Sequence, residues 1–291
     1  MSSVPSEFNA RSLKSWAKAL LEDAERPYSP KELDWLIEDI SGRSRLDLIT
    51  QPERPLSPSE AAKFQLFVGR RLIGEPIQHI LGYTEFYGRR FDVTPDVLIP
   101  RPETEGLVER ALGFIKSRTS CVVLDIGTGS GCIAVTLAKE SPGSEVYGVD
   151  VSEPALRLAR QNGDKHGVDV FWKLGDMYQH DTLVPECHQC DLIVSNPPYI
   201  PLPDMDLLQV EVRDHDPAIA LTPGEDHLKP YRSLALLARE RLRKGGALMV
   251  EIEERFGMEV ANIFTENNLE AVNVYPDLTG RNRFVTGVKR L

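Results

Sequence analysis

Apolar positions recur at helical spacing from Ala10 to about Gly82. Trp16, Leu20, Leu21 and Ala24 share one face, and Leu33, Leu36, Ile37 and Ile40 repeat the arrangement. Two helix starts are marked within this stretch. Ser29-Pro30-Lys31-Glu32 and Ser57-Pro58-Ser59-Glu60 each put Ser at the cap, Pro in the first turn and Glu three residues after the cap. Gly42 and Gly74 are placed to end helices. The pattern changes at Tyr83. Phe86-Tyr87-Gly88-Arg89-Arg90-Phe91 and Val93 predict two short strands around a glycine turn, and Pro95, Pro100 and Pro102 then interrupt regular structure before a helix from about Thr104.

Beyond Cys121 short β-branched runs alternate with helical patterns. Val122–Leu124, Val146–Val149, Val170–Trp172, Leu192–Val194 and Leu248–Val250 are strand candidates, and the alternation predicts a doubly wound α/β sheet. Val272–Tyr275 and Phe284–Val288 are too close in sequence for a crossover helix, so they are expected to form an antiparallel pair. The expected organisation is a helical domain over 1–82, a hairpin linker over 83–99 and an α/β domain over 100–291.

With 291 residues the chain is long enough for two domains. Its net charge of −10 argues against a protein that holds nucleic acid by neutralising phosphates. Residues 1–82 carry eleven basic and twelve acidic side chains, so the acid excess lies in the remainder. Such a neutral helical module suits recognition of a protein partner, or it serves only as a stabilising cap on the second domain. Met1 to Asn9 lacks the order of a secretory signal, and no apolar run reaches the length of a membrane span, so a cytoplasmic protein with no membrane attachment is expected. Cys187-His188-Gln189-Cys190 has the spacing of half a zinc site without a second half. The four cysteines fit a reducing compartment, and no metal is expected.

Candidate chemistry sits where the strand candidates end. Asp125-Ile126-Gly127-Thr128-Gly129-Ser130-Gly131 follows the first strand and runs into the helix opened by Cys132, so its backbone can approach a ligand closely. The G-x-G-x-G spacing differs from that of dinucleotide folds. An acid beside it disfavours pyrophosphate and suits a ligand that carries an amino group, such as S-adenosylmethionine. Asp150 ends the second strand, where an acid accepts from ribose hydroxyls. Gly175-Asp176-Met177 ends the third, with a carboxylate and an apolar side chain to frame an adenine. Ser195-Asn196-Pro197-Pro198-Tyr199 follows the apolar run Asp191–Val194. Asn196 and the Pro197 carbonyl offer acceptors for an NH2 group, and Tyr199 offers a flat face. The same string is also consistent with a plain proline-rich turn. His215 falls in a loop near this region and reads as a solvated side chain, so no general base is expected.

Together Gly127–Gly131, Asp150 and Asn196-Pro197-Pro198-Tyr199 resemble a class I S-adenosylmethionine-dependent methyltransferase acting on a planar nitrogen. Gly74–Gly82, Glu85–Gly88 and above all Leu98-Ile99-Pro100-Arg101-Pro102-Glu103-Thr104-Glu105 resemble the HemK/PrmC family, over nearly the whole chain. That resemblance implies the class I methyltransferase fold with an antiparallel last strand and a small N-terminal helical domain for substrate recognition. It also implies methylation of the side-chain nitrogen of the glutamine in the Gly-Gly-Gln motif of peptide chain release factors, which are the expected partners. By the resemblance Gly127, Thr128, Gly129, Ser130 and Gly131 hold the methionine part of S-adenosylmethionine, Asp150 its ribose and Met177 its adenine, with Asn196 also beside the cofactor. Asn196, Pro197, Pro198 and Tyr199 receive the substrate glutamine, with Asn196 and Pro197 as the catalytic acceptors. His79, Met177, Glu251-Ile252-Glu253-Glu254 and Asp226-His227-Leu228 depart from the family's usual residues. Methylation of a ribosomal-protein glutamine, or of a nucleic-acid base, are the alternative activities. A binding module that keeps the cofactor site without catalysis is a third.

Overall fold

The computed structural model describes Pro5 and residues 7–183 and 189–291. Its contacts divide into two compact units, Met1–Gly82 with Val210–His215, and Tyr83–Gln209 with Asp216–Leu291. The segment Val210–His215 therefore belongs to the helical unit although it lies far along the sequence.

The first unit contains α1 (Ala10–Asp23), α2 (Pro30–Ser41), α3 (Arg45–Thr50), α4 (Pro58–Leu72) and α5 (Ile77–Leu81). Both expected capping boxes form. The Ser29 N–H donates to Glu32 Oε1 at 2.9 Å and the Ser57 N–H to Glu60 Oε2 at 2.6 Å, each satisfying a backbone donor that the first turn leaves unpaired. Gly42 ends α2 in a left-handed conformation, φ +63°. On α1 the buried stripe is Leu13, Ala17 and Leu21, whereas Trp16 and Leu20 are only partly covered and Ala24 is exposed. The helix carries two overlapping apolar stripes about one residue apart, and packing against α2 and α4 selects the one with the small Ala17 at its centre. Within this unit the buried Arg71 guanidinium donates to Glu32 Oε2 at 2.8 Å, to the Pro27 carbonyl at 2.8 Å and to Glu211 Oε1 at 2.5 Å. Glu211 sits on the helical turn Val210–Arg213, so this ion pair fixes that segment in its unit.

The second unit opens with the hairpin β1 (Tyr83–Phe86) and β2 (Arg89–Asp92). Tyr87 and Gly88, with φ +52° and +68°, form its two-residue loop, the left-handed pairing whose twist matches that of the strands. There follow α6 (Glu105–Ile115), β3 (Val122–Ile126), α7 (Cys132–Glu140), β4 (Glu145–Asp150), α8 (Glu153–His166), β5 (Phe171–Leu174), β6 (Cys190–Ser195), β7 (Leu242–Glu251), β8 (Leu269–Pro276) and β9 (Asn282–Lys289). The sheet order is β5-β4-β3-β6-β7-β9-β8, with β3 to β7 parallel and β9 antiparallel to both neighbours. The expected antiparallel terminal pair is present, and β9 inserts between β7 and β8. On β6, Leu192 and Val194 pack into one core layer and Ile193 into the other, so the strand is buried on both faces and reads as a continuous apolar run. From β3 the chain winds outward through β4 and β5, then returns to place β6 on the other side. This reversal opens a crevice at the carboxyl ends of β3 and β6. No helix among the described residues is long and apolar enough to cross a membrane.

Candidate active site

A cavity of about 310 Å³ occupies that crevice, and every residue lining it belongs to the second unit. Gly127, Thr128, Gly129 and Ser130 form one wall, Asp150 and Ser152 the next, and Gly175, Asp176, Met177 and Tyr178 the third. Asn196 and Pro198 face them, with Leu98, Pro100, Arg101 and Thr104 alongside.

The glycine loop is held by hydrogen bonds from below. The N–H groups of Gly127 and Thr128 both donate to the Val149 carbonyl, at 2.8 and 3.0 Å, which ties the loop to β4. Gly131 does not line the cavity. At φ +81° it caps α7, and a Cβ there would lie 3.0 Å from the Trp172 ring and 3.1 Å from Ala159 Cβ. Asp125 is also behind the wall. Its Oδ2 accepts from the Thr128 hydroxyl at 2.6 Å and from the Ala134 N–H at 3.2 Å, and burial pushes its carboxyl up to about 7. The acid before the glycines therefore shapes the loop rather than facing a ligand's amino group. Sequence reasoning missed Asn162, whose buried amide donates to the carbonyls of Ser130 and Asp92 and accepts from the Asp92 N–H, joining loop to hairpin. No pattern in the sequence marks it.

Asp150 projects its carboxylate at the cavity rim, where Oδ2 accepts from the Gly129 N–H at 2.8 Å and Oδ1 from the Ser152 N–H at 2.9 Å. Burial raises its pKa and these two N–H groups oppose the rise. Each oxygen has further lone pairs for a hydroxyl. The Met177 methyl group lies beside Gly127 on the cavity lining, 3.9 Å from where a Cβ on that glycine would stand. Its carbonyl accepts from the Ser233 hydroxyl at 2.6 Å. The neighbouring Tyr178 also lines the cavity, so an aromatic side chain is present one residue after Met177.

At the end of β6, Asn196 Nδ2 donates to the Thr104 hydroxyl at 3.2 Å, while Oδ1 is buried without a hydrogen-bond partner among the described residues. A buried acceptor left open costs free energy unless something fills it. Of the expected acceptor string, Asn196 and Pro198 line the cavity, whereas Pro197 is buried and Tyr199 points elsewhere. The Tyr199 hydroxyl donates to Glu251 Oε1 at 3.2 Å, and burial raises its pKa, with the Glu251 charge adding to the rise. Glu251, buried at the end of β7, also accepts from the Thr104 hydroxyl through Oε2 at 2.7 Å, and its backbone carbonyl accepts from the Tyr231 hydroxyl at 3.1 Å. Burial pushes the Glu251 carboxyl up to about 7, against the lowering effect of the Thr104 hydrogen bond.

The Leu98–Glu105 run acquires a physical account. Arg101 pairs with the buried Asp216 at 2.7 Å, Thr104 links Asn196 to Glu251, and Glu105 Oε1 accepts from the Tyr87 N–H at 2.8 Å. Nothing in the sequence gives either residue a role: Thr104 stands within the string that carries the family resemblance and Glu251 within one that departs from it. His215 lies in the first unit, half-buried, and does not line the cavity. Cys187 and His188 of the half-zinc spacing lie outside the described residues, and the described residues contain no group of metal-binding side chains.

This sheet order, with the glycine loop after β3 and an acid at the end of β4, defines the class I S-adenosylmethionine-dependent methyltransferase fold. Solved structures agree on the fold. A methyltransferase from Pyrococcus furiosus aligns over 71% of this chain and 91% of its own with a TM-score of 0.52 at 18% identity. A T. thermophilus 16S rRNA N2 G1207 methyltransferase aligns over 72% and 50% with a TM-score of 0.52 at 20% identity. Residues 12–82 match the model of the PrmC N-terminal domain and residues 109–206 that of the methyltransferase small domain. The release factor glutamine methyltransferase of Geobacter sulfurreducens is 40% identical over 288 residues, 99% of each chain, and that of Neisseria gonorrhoeae is 42% identical over 256 residues, 88% of this chain and 92% of its own. The chain belongs to the release factor glutamine methyltransferase family.

Proposed function

We propose that this protein transfers a methyl group from S-adenosylmethionine to the side-chain amide nitrogen of the glutamine in the Gly-Gly-Gln motif of peptide chain release factors. The observation that carries the proposal is the unpartnered Asn196 Oδ1, a buried hydrogen-bond acceptor on a residue that lines the cavity together with the glycine loop. A primary amide brings the complementary donor. The names of the family's curated members supply the acceptor protein.

The residues present fit the cofactor. Gly127–Ser130 offer a close backbone approach, Asp150 offers carboxylate oxygens for ribose hydroxyls, and Met177 and Tyr178 offer apolar and aromatic surface for adenine. Gly131 supports this wall from behind. When bound, S-adenosylmethionine supplies an electrophilic methyl group.

An amide nitrogen is a poor nucleophile because its lone pair is delocalised into the carbonyl. Asn196 Oδ1, with the Pro197 carbonyl as a second acceptor, draws the two amide hydrogens to one side and aims the lone pair across the cavity. Orientation of this kind is worth about 7–11 kcal/mol in favourable cases. The same acceptors favour the positive charge that develops on nitrogen, and one amide proton passes to water as the N–C bond forms and the secondary amide results. Among the described residues no histidine lines the cavity, in keeping with a mechanism that rests on orientation. The helical unit 1–82 is the candidate reader of the release factor, and a cytoplasmic location goes with such a substrate.

The test is incubation with tritiated S-adenosylmethionine and an unmethylated release factor, beside a copy whose Gly-Gly-Gln glutamine is changed to alanine. Label in the first only is the expected result. Label in ribosomal protein or nucleic acid instead would replace the proposed acceptor.

A further inference from the structure

The amide of Asn196 can stand either way round in its pocket, and only one way presents an acceptor to the substrate. Asn196 itself does not decide between them. The Thr104 hydroxyl, its neighbour at 3.2 Å, has one proton and can either donate to Asn196 or accept from it. Glu251 is within 2.7 Å of the same hydroxyl. In its ionised form the carboxylate accepts only, so the Thr104 hydroxyl donates its hydrogen bond to Glu251 Oε2 and keeps its lone pairs toward Asn196. Asn196 must then present Nδ2 to Thr104, which leaves Oδ1 as the buried acceptor without a partner.

We propose that Glu251 is a positioning residue for methyl transfer, setting the orientation of the Asn196 amide through the Thr104 hydroxyl so that the site presents an acceptor to the substrate's NH2 group. Glu251 touches neither the substrate nor the cofactor in this scheme. Its second oxygen is occupied by the Tyr199 hydroxyl, and the Tyr231 hydroxyl holds its backbone carbonyl, so the carboxylate is fixed from the elements packed against it. Burial and the negative charge of Glu103 oppose its ionised form, and the Thr104 hydrogen bond and the positive charge of Arg283 favour it. The chain of bonds crosses three segments distant in sequence, the turn at Thr104, the end of β6 and the end of β7.

The inference rests on Asn196 as the acceptor of the substrate amide, and one readout is independent of turnover. In the intact protein the Asn196 side-chain NH2 group, assigned by NMR against Asn196→Asp, is expected to exchange slowly because Thr104 holds it. Thr104→Val should speed that exchange and lower kcat at least tenfold, with KM and the affinity for S-adenosylhomocysteine within threefold. Thr104→Ser, which keeps the hydroxyl, should restore most of both. Glu251→Gln should lower kcat in the same sense, and Glu251→Gln with Thr104→Val should be no slower than Thr104→Val alone, because both act through one chain of bonds. Multiplicative losses, or unchanged exchange in Thr104→Val, would overturn the proposal. Absence of methyl transfer by the unaltered protein to any glutamine would refute the proposed function instead, while the exchange measurement would still judge the relay.

Discussion

Asp150, at the end of β4, accepts a hydrogen bond from the backbone N–H of Gly129 over 2.8 Å. One carboxylate thus holds the glycine loop while keeping lone pairs for a ligand. Asp150→Ala removes both roles, and loss of hydrogen bonds to a charged group costs about 1.5–3 kcal/mol. Binding of S-adenosylhomocysteine, measured by titration calorimetry, is expected to weaken roughly 10- to 100-fold at that cost. Unchanged affinity would remove Asp150 from the cofactor site.

Asn196→Ala deletes the open acceptor without disturbing the loop opposite. By comparison with removal of one positioned polar group elsewhere, kcat should fall roughly 10²- to 10³-fold. Affinity for S-adenosylhomocysteine should change little, since Asp150 and the glycine loop remain. Turnover equal to that of the parent would show that methyl transfer proceeds without this acceptor.

Gly131→Ala tests the backbone beneath the cofactor wall. The residue is left-handed at φ +81°, and the added methyl group would meet Trp172 and Ala159 at 3.0–3.1 Å. Strain of this kind costs about 1–3 kcal/mol. The urea midpoint should drop accordingly, and a variant as stable as the parent would mean that the loop can relax.

Glu251 makes stability depend on pH. Its ordinary value is 4.5 and burial lifts it to about 7, so between these values the folded chain keeps a proton that the unfolded chain has lost. The unfolded state then binds fewer protons, and stability falls as pH rises through this window. Glu251→Gln cannot ionise. Its melting temperature relative to the parent should therefore improve from pH 5 to about pH 7 and level off above it. A constant difference across that range would contradict a buried, raised carboxyl.

Arg71→Met addresses the first unit alone. The guanidinium is buried between Glu32 and Glu211, and removing one partner of a buried pair typically costs about 3–5 kcal/mol because the remaining charge is uncompensated. The urea midpoint should fall, and adding Glu32→Gln should recover part of the loss. If the double variant is less stable than Arg71→Met, the uncompensated Glu32 charge is not the cause.

Much of the fold was legible because it follows from local rules. The capping boxes at Ser29 and Ser57, the left-handed Gly42 and the turn at Tyr87-Gly88 use residues whose preferences act within a few positions. The strands of the sheet centre declared themselves because burial on both faces demands continuous apolar runs. On α1, local pattern was insufficient. Two stripes competed there, and only the neighbours α2 and α4 made Leu13, Ala17 and Leu21 the buried one.

The sequence by itself determined which backbone loops turn tightly, where strands end, and that Asp150 and Asn196 stand at such ends. Those features depend on residue type and short-range spacing. Tertiary structure alone decided that Gly131 and Asp125 support the cavity wall from behind, that Tyr199 turns toward Glu251, and that Val210–His215 joins the helical unit. It also decided that Thr104, Asn196 and Glu251 form one chain of hydrogen bonds. The partners are 92 and 147 residues apart. No local preference spans such a separation. Parallel pairing of β6 with β7 brings two of these residues together at adjacent strand ends, and the packing of the turn before α6 brings the third.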